Sequence, residues 1–60
     1  MRIQIEDENG NVLSVYERDC QPGVKTGDRI SVGGLLRTVV ETEMVSDQMF
    51  AVDTFFIIVS

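Results

Sequence analysis

Apolar side chains recur at every second position in several short runs, the spacing of strands that turn one face inward. Ile3 and Ile5 alternate with Arg2, Gln4 and Glu6, which predicts a first strand over 2–6. Asp7-Glu8-Asn9-Gly10 follows as a turn, and Asn9-Gly10 tolerates the positive φ angles of a tight hairpin. A second strand is predicted from Asn11 to Arg18, with Leu13 and Val15 on one face and Val12 and Tyr16 on the other. So short a connection makes these two strands an antiparallel pair.

Asp19 to Asp28 is the longest irregular stretch, marked by the turn signals Pro22-Gly23 and Gly27-Asp28, with Val24 as its expected anchor. It is either a plain connection or a functional loop, since loops carry binding groups more often than strands do. Ile30 and Val32 alternate with Arg29 and Ser31 in a short third strand, and Gly33-Gly34 makes a second tight turn. A fourth strand runs from Leu35 to about Val45, its β-branched residues Thr38, Val39, Val40, Thr42 and Val45 arguing against helix. Strict alternation puts Leu36, Val40 and Met44 on one face and Arg37, Glu41 and Glu43 on the other, beside Leu35 and Val39. Ser46-Asp47 is read as a turn and Gln48–Val59 as the last strand, with a bulge or bend expected at Asp53-Thr54.

These elements predict one all-β domain over 1–60, a small five-stranded antiparallel meander closing into an SH3-like or OB-like barrel. The phrase Val24-Lys25-Thr26-Gly27-Asp28-Arg29-Ile30 resembles the turn-then-strand step of many SH3-like barrels, a generic likeness over a small part of the chain.

The tail Phe55-Phe56-Ile57-Ile58-Val59 breaks the alternation. In a strand, Phe55, Ile57 and Val59 face one way while Phe56 and Ile58 face the other. Sheltering one Phe or Ile from water contributes about 1.5–3 kcal/mol, so both sets need cover. The tail is then the central strand of a strongly curved barrel, an edge that pairs or exchanges between two copies, or a docking strand for another protein. Tyr16, Phe55, Phe56 and Ile58 are the candidate interface residues, with Tyr16 and Val12 extending the surface, since a tyrosine suits a half-wet place.

Composition sharpens this picture. A chain of 60 residues buries only about 60% of the surface its unfolded form exposes. Small domains commonly add disulfides, metals or oligomerisation. Cys20 is the only cysteine and histidine is absent, so neither an intrachain disulfide nor a Cys/His metal cluster is available. A lone cysteine suits a reducing compartment. The N-terminal residues lack the basic-then-apolar order of a signal peptide, and the apolar tail falls far short of the roughly 20 residues of a membrane helix. The expected location is cytoplasmic, away from membranes.

The net charge of −5 disfavours nucleic acid as a partner, because Arg2, Arg18, Lys25, Arg29 and Arg37 are scattered along the chain. Catalytic chemistry is sparse. Without histidine the commonest general base is missing, and Asp19 beside Cys20 disfavours a reactive thiolate. Asp7-Glu8-Asn9-Gly10-Asn11 resembles the opening of an EF-hand calcium loop. However, Val12 stands where that loop needs glycine and Arg18 where it needs a bidentate glutamate. Gly33-Gly34 matches no phosphate-binding pattern. Glu41, Glu43 and Asp53 are the remaining acid/base candidates.

The favoured reading is a non-catalytic interaction or structural module, a homo-oligomer or an accessory subunit, with no cofactor and no metal. The alternative is a nucleic-acid-associated module of the same shape, or an acidic decoy that occupies a basic cleft elsewhere.

Overall fold

The computed structural model describes residues 1–47 and 52–60. Its strands are β1 (Arg2–Asp7), β2 (Val12–Glu17), β3 (Arg29–Val32), β4 (Leu35–Asp47) and β5 (Val52–Val59). They form one nearly closed, barrel-shaped sheet in the order β2-β1-β5-β4-β3.

The pairing is mixed rather than wholly antiparallel. β1 pairs antiparallel with β2, β3 with β4 and β4 with β5, whereas β1 and β5 run parallel from Arg2↔Thr54 to Asp7↔Val59. Parity explains the exception: when strands alternate in direction, the first and fifth point the same way, so closure between them must be parallel. The sheet's ladder order ends at β2 and β3. β5 therefore occupies a central place with a ladder on each side, which resolves the alternatives for the tail in favour of a central strand.

The core lies on the concave face and comprises Ile3, Ile5, Val32, Val39, Phe55, Ile57 and Val59. Met1, Leu13, Val24 and Ile30 pack against it. Asp19–Asp28 serves as a strap between the two hairpins, with Pro22 buried and Val24 against the core. Its last residues are tied down at β4: Gly27 N donates to Val39 O at 2.8 Å, and Val39 N donates to Asp28 O at 2.8 Å. Lys25 N also donates to Asp28 Oδ2 at 2.9 Å, which fixes the turn.

Strict alternation fails at two places, and both are bulges. In β2 the register steps from Ile5↔Ser14 to Glu6↔Val12, which leaves Leu13 as the extra residue. Val12 and Val15 consequently share the outer face, opposite Glu6 and Gln4, while Leu13 goes to the core and Tyr16 stands opposite Ile3 on the concave side. In β4 the register steps from Val39↔Val59 to Glu41↔Ile58, with Val40 between them.

Period two alone would have put Val39, Glu41 and Glu43 on one face. The extra residue lets Val39 enter the core while Glu41 and Glu43 turn outward and Met44 turns inward, opposite Phe55. No step occurs at Asp53 or Thr54, which pair regularly with Ser46 and Val45. The bend expected there is supplied by β4 instead. Ser46 and Asp47 are strand rather than turn, because the β4–β5 ladder continues to Asp47↔Val52. The predicted start of the last strand, at 48–51, lies outside the described residues.

The turns follow their glycines. Gly33 and Gly34 have φ of 58° and 83°, the double positive value of a two-residue hairpin that side chains resist. At the first turn Asp7 acts as the brace. Its Oδ1 accepts hydrogen bonds from Asn9 N and Asn11 N, and its Oδ2 accepts one from Asn11 Nδ2, each at 2.9 Å.

Candidate interaction surface

The registers across the central strands define what the convex face presents. Residues directly opposite each other in neighbouring strands project on the same side of a sheet. Gln4↔Val15, Gln4↔Phe56 and Glu43↔Phe56 therefore compose a row reading Val15, Gln4, Phe56, Glu43 across β2, β1, β5 and β4. One step further along, Glu6↔Val12, Glu6↔Ile58 and Glu41↔Ile58 give Val12, Glu6, Ile58, Glu41. A third row contains Glu17, Arg2, Thr54 and Val45.

Phe56 and Ile58 are thus an apolar stripe along β5, flanked on β4 by Glu43 and Glu41 and on β1 by Gln4 and Glu6. They are half-buried. Their cross-strand neighbours Gln4 and Glu6 are half-buried, and Glu41 and Glu43 are exposed. Gln4 Nε2 donates to Glu6 Oε1 at 2.7 Å, which holds one flank in place. Val12 and Val15, at 54% and 51% exposure, and the exposed Val45 extend the apolar surface outward.

The charges on this face are unbalanced. Arg2 Nε lies 3.8 Å from Glu17 Oε1, and the amino group of Met1 lies 3.9 Å from Glu17 Oε2. Among the described residues no ion pair involves Glu6, Glu41 or Glu43.

The sequence candidates separate into three environments. Phe56 and Ile58 stand together on the convex face. Phe55, at 2% exposure, is given over to the core and faces away from them. Tyr16, at 40%, lies on the concave side at the free edge of β2, not beside Phe56. Sequence reasoning had Val12 extending such a surface beside Tyr16 but missed Val15 and Val45, because the bulge in β2 and the pairing of remote strands bring them onto this face. The two glutamates of Glu41-Thr42-Glu43, spaced to share one face of β4, were the one local signal of an acidic flank.

The remaining chemistry-bearing groups do not converge. Glu41, Glu43 and Asp53 are exposed. Among the described residues no group of three or more His, Cys, Asp or Glu side chains is placed to hold a metal ion. Arg29 is opposite Thr38 and Arg37 opposite Ile30, so these two cations project from opposite sides of the β3–β4 hairpin. Cys20 is exposed on the connecting segment. Asp7 has its carboxyl pKa held below the usual value, first by the side-chain hydrogen bond from Asn11 and then by the backbone N–H of the same residue. Both carboxylate oxygens of the would-be calcium ligand are therefore engaged within the turn itself.

Leu35 and Leu36, each 60% exposed, project from opposite sides of the β3–β4 hairpin near its tip. The chain matches no family model, no curated protein and no solved structure.

Proposed function

We propose that this protein is a non-catalytic interaction module that holds a protein partner against the convex face of its barrel. The observation that carries this reading is the half-buried Phe56–Ile58 stripe, with exposed Val45 on the adjoining β4 and exposed Val12 and Val15 on β2, one strand beyond Gln4 and Glu6. Apolar side chains interspersed with and rimmed by polar groups are the ordinary anatomy of a protein interface. The exposed positions of Glu41, Glu43 and Asp53 support a binding role over acid/base chemistry. Small barrels of SH3-like or OB-like type host many unrelated binding functions, and a cytoplasmic setting suits the exposed lone thiol of Cys20.

Photo-crosslinking in living cells tests the reading. A benzoylphenylalanine at Val15 should capture a discrete partner, whereas the same group at Asn9, in the first turn, should not. Equal labelling from both positions overturns it.

A homo-oligomer version rests on a different feature, the free edge of β2. Met1 and Arg18 exchange both backbone hydrogen bonds, at 2.8 and 2.9 Å. The antiparallel alternation from that pair directs the N–H and C=O of Val15 and Glu17 away from β1. An edge of this kind accepts a second strand. Sedimentation at micromolar concentration should then show a dimer that Val15→Pro, which removes one edge donor, converts to monomer. A monomer before and after the substitution removes this version.

A further inference from the structure

We infer that the convex face is the docking site of a basic amphipathic helix on a partner protein, an assignment that rests on the interaction-module reading above. The surface is two-sided in a specific sense. Its apolar centre runs along β5, and its carboxylates stand on β1 at Glu6 and on β4 at Glu41 and Glu43. Strands lie about 4.8 Å apart, so the flanks are separated by about 10 Å. That is about the diameter of an α-helix with its side chains. Phe56 and Ile58 are two residues apart in a strand, about 7 Å, against a rise of about 6 Å between positions i and i+4 of a helix. A helix lying along β5 therefore sets successive apolar side chains over Phe56 and Ile58, with lysines or arginines over Glu41 and Glu43 on one shoulder and over Glu6 on the other.

Strand addition is not available at this site, since both edges of β5 are already in ladders with β1 and β4. The partner meets side chains only. A second copy of the chain is a poor occupant of the same face. It would set Glu6, Glu41 and Glu43 against their own counterparts, and each copy carries a net charge of −5. A cationic partner instead neutralises carboxylates that have no ion-pair partner among the described residues.

The probe is a labelled peptide of about 18 residues, five helical turns, with leucines along one stripe and lysines on both shoulders. It is titrated against the full chain by fluorescence anisotropy. Saturable binding is expected, with backbone amide shifts mapping to β5 and the adjoining parts of β1 and β4, and with affinity falling as salt rises from about 50 to about 300 mM. The double variant Glu41→Lys, Glu43→Lys should weaken binding by at least about tenfold. Glu8→Lys, Asp19→Lys makes the same change in net charge at exposed sites elsewhere and should weaken it less than about threefold. A peptide with glutamates in place of the lysines should not bind.

Equal losses in the two double variants would mean that only net charge is sensed, and would overturn the assignment. So would absence of saturable binding, a footprint away from β5, or a dimer that Glu41→Lys, Glu43→Lys alters while the peptide leaves the face untouched. If the Val15 crosslink captures a partner and the peptide fails, the interaction reading stands and the basic helix falls. If neither succeeds, both fall.

Discussion

The two faces of β5 are made of nearly the same side chains and do opposite things. Phe55, Ile57 and Val59 are at most 2% exposed and fill the core, while Phe56 and Ile58 stand half-buried among glutamates. The difference comes from their neighbours rather than from their own chemistry. On the concave side Phe55 and Ile57 meet Ile3 and Ile5 on β1, and Val59 meets Val39 on β4. On the convex side it meets Gln4, Glu6, Glu41 and Glu43. Hydrophobicity alone therefore did not decide which set became core. The curvature of the sheet did.

The strongest way to break this contrast is to remove Val40. Deletion restores strict alternation in β4, so either Glu41 and Glu43 turn into the core or Val39 leaves it. An unpaired buried carboxylate costs several kcal/mol, which matches the whole stability of a small domain. The deletion variant should be unfolded by circular dichroism and by collapse of amide shift dispersion; a dispersed, native-like spectrum would show that the bulge does not set the faces.

Paired alanines come next. Ile57→Ala should cost about 2–5 kcal/mol in chemical denaturation, the range for a buried Ile truncated in a packed core. Ile58→Ala, on the half-covered face, should cost under about 1.5 kcal/mol. Equal values would erase the distinction between the faces.

Gly34→Ala, at φ 83°, should lose about 1 kcal/mol or more through backbone strain while leaving the convex face unchanged in amide shifts. Smaller still, Glu41→Lys should raise stability by about 0.2–1 kcal/mol at low salt, because it converts like-charge neighbours on the outer face into opposite ones. High salt should abolish that gain.

The mildest effect is a pH dependence at the turn. The Asp7 carboxyl has a depressed pKa in the folded state, so its contribution is present above the unfolded value of about 3.9 and is lost as pH falls through the folded one. Asp7→Ala should flatten the acid limb of the stability curve below about pH 4, measured by urea unfolding at a series of pH values.

Much of the fold was legible because strand alternation and turn chemistry are local. Ile3 and Ile5, Asn9-Gly10 and Gly33-Gly34 each declare their role within a few residues. The parallel joining of β1 to β5 was not legible, since nothing near Ile3 refers to Phe55. The bulges were hidden for a related reason: Leu13 and Val40 are ordinary strand residues, and their extra place in the ladder is set by the strand opposite. The acidic frame needed both facts at once, so Phe56 and Ile58 were foreseeable as a patch, but Glu6, Glu41 and Glu43 were not foreseeable as its border.

The parallel ladder between β1 and β5 has a consequence for the order of events in folding. Arg2 must wait for Thr54 and Asp7 for Val59, so the first strand acquires its second neighbour only once β5 has been made. Until then the two hairpins lack the strand that stands between them in the sheet order. Pairings of such long sequence separation form slowly. During synthesis this sheet would therefore remain open until β5 clears the ribosome, and would consolidate only then.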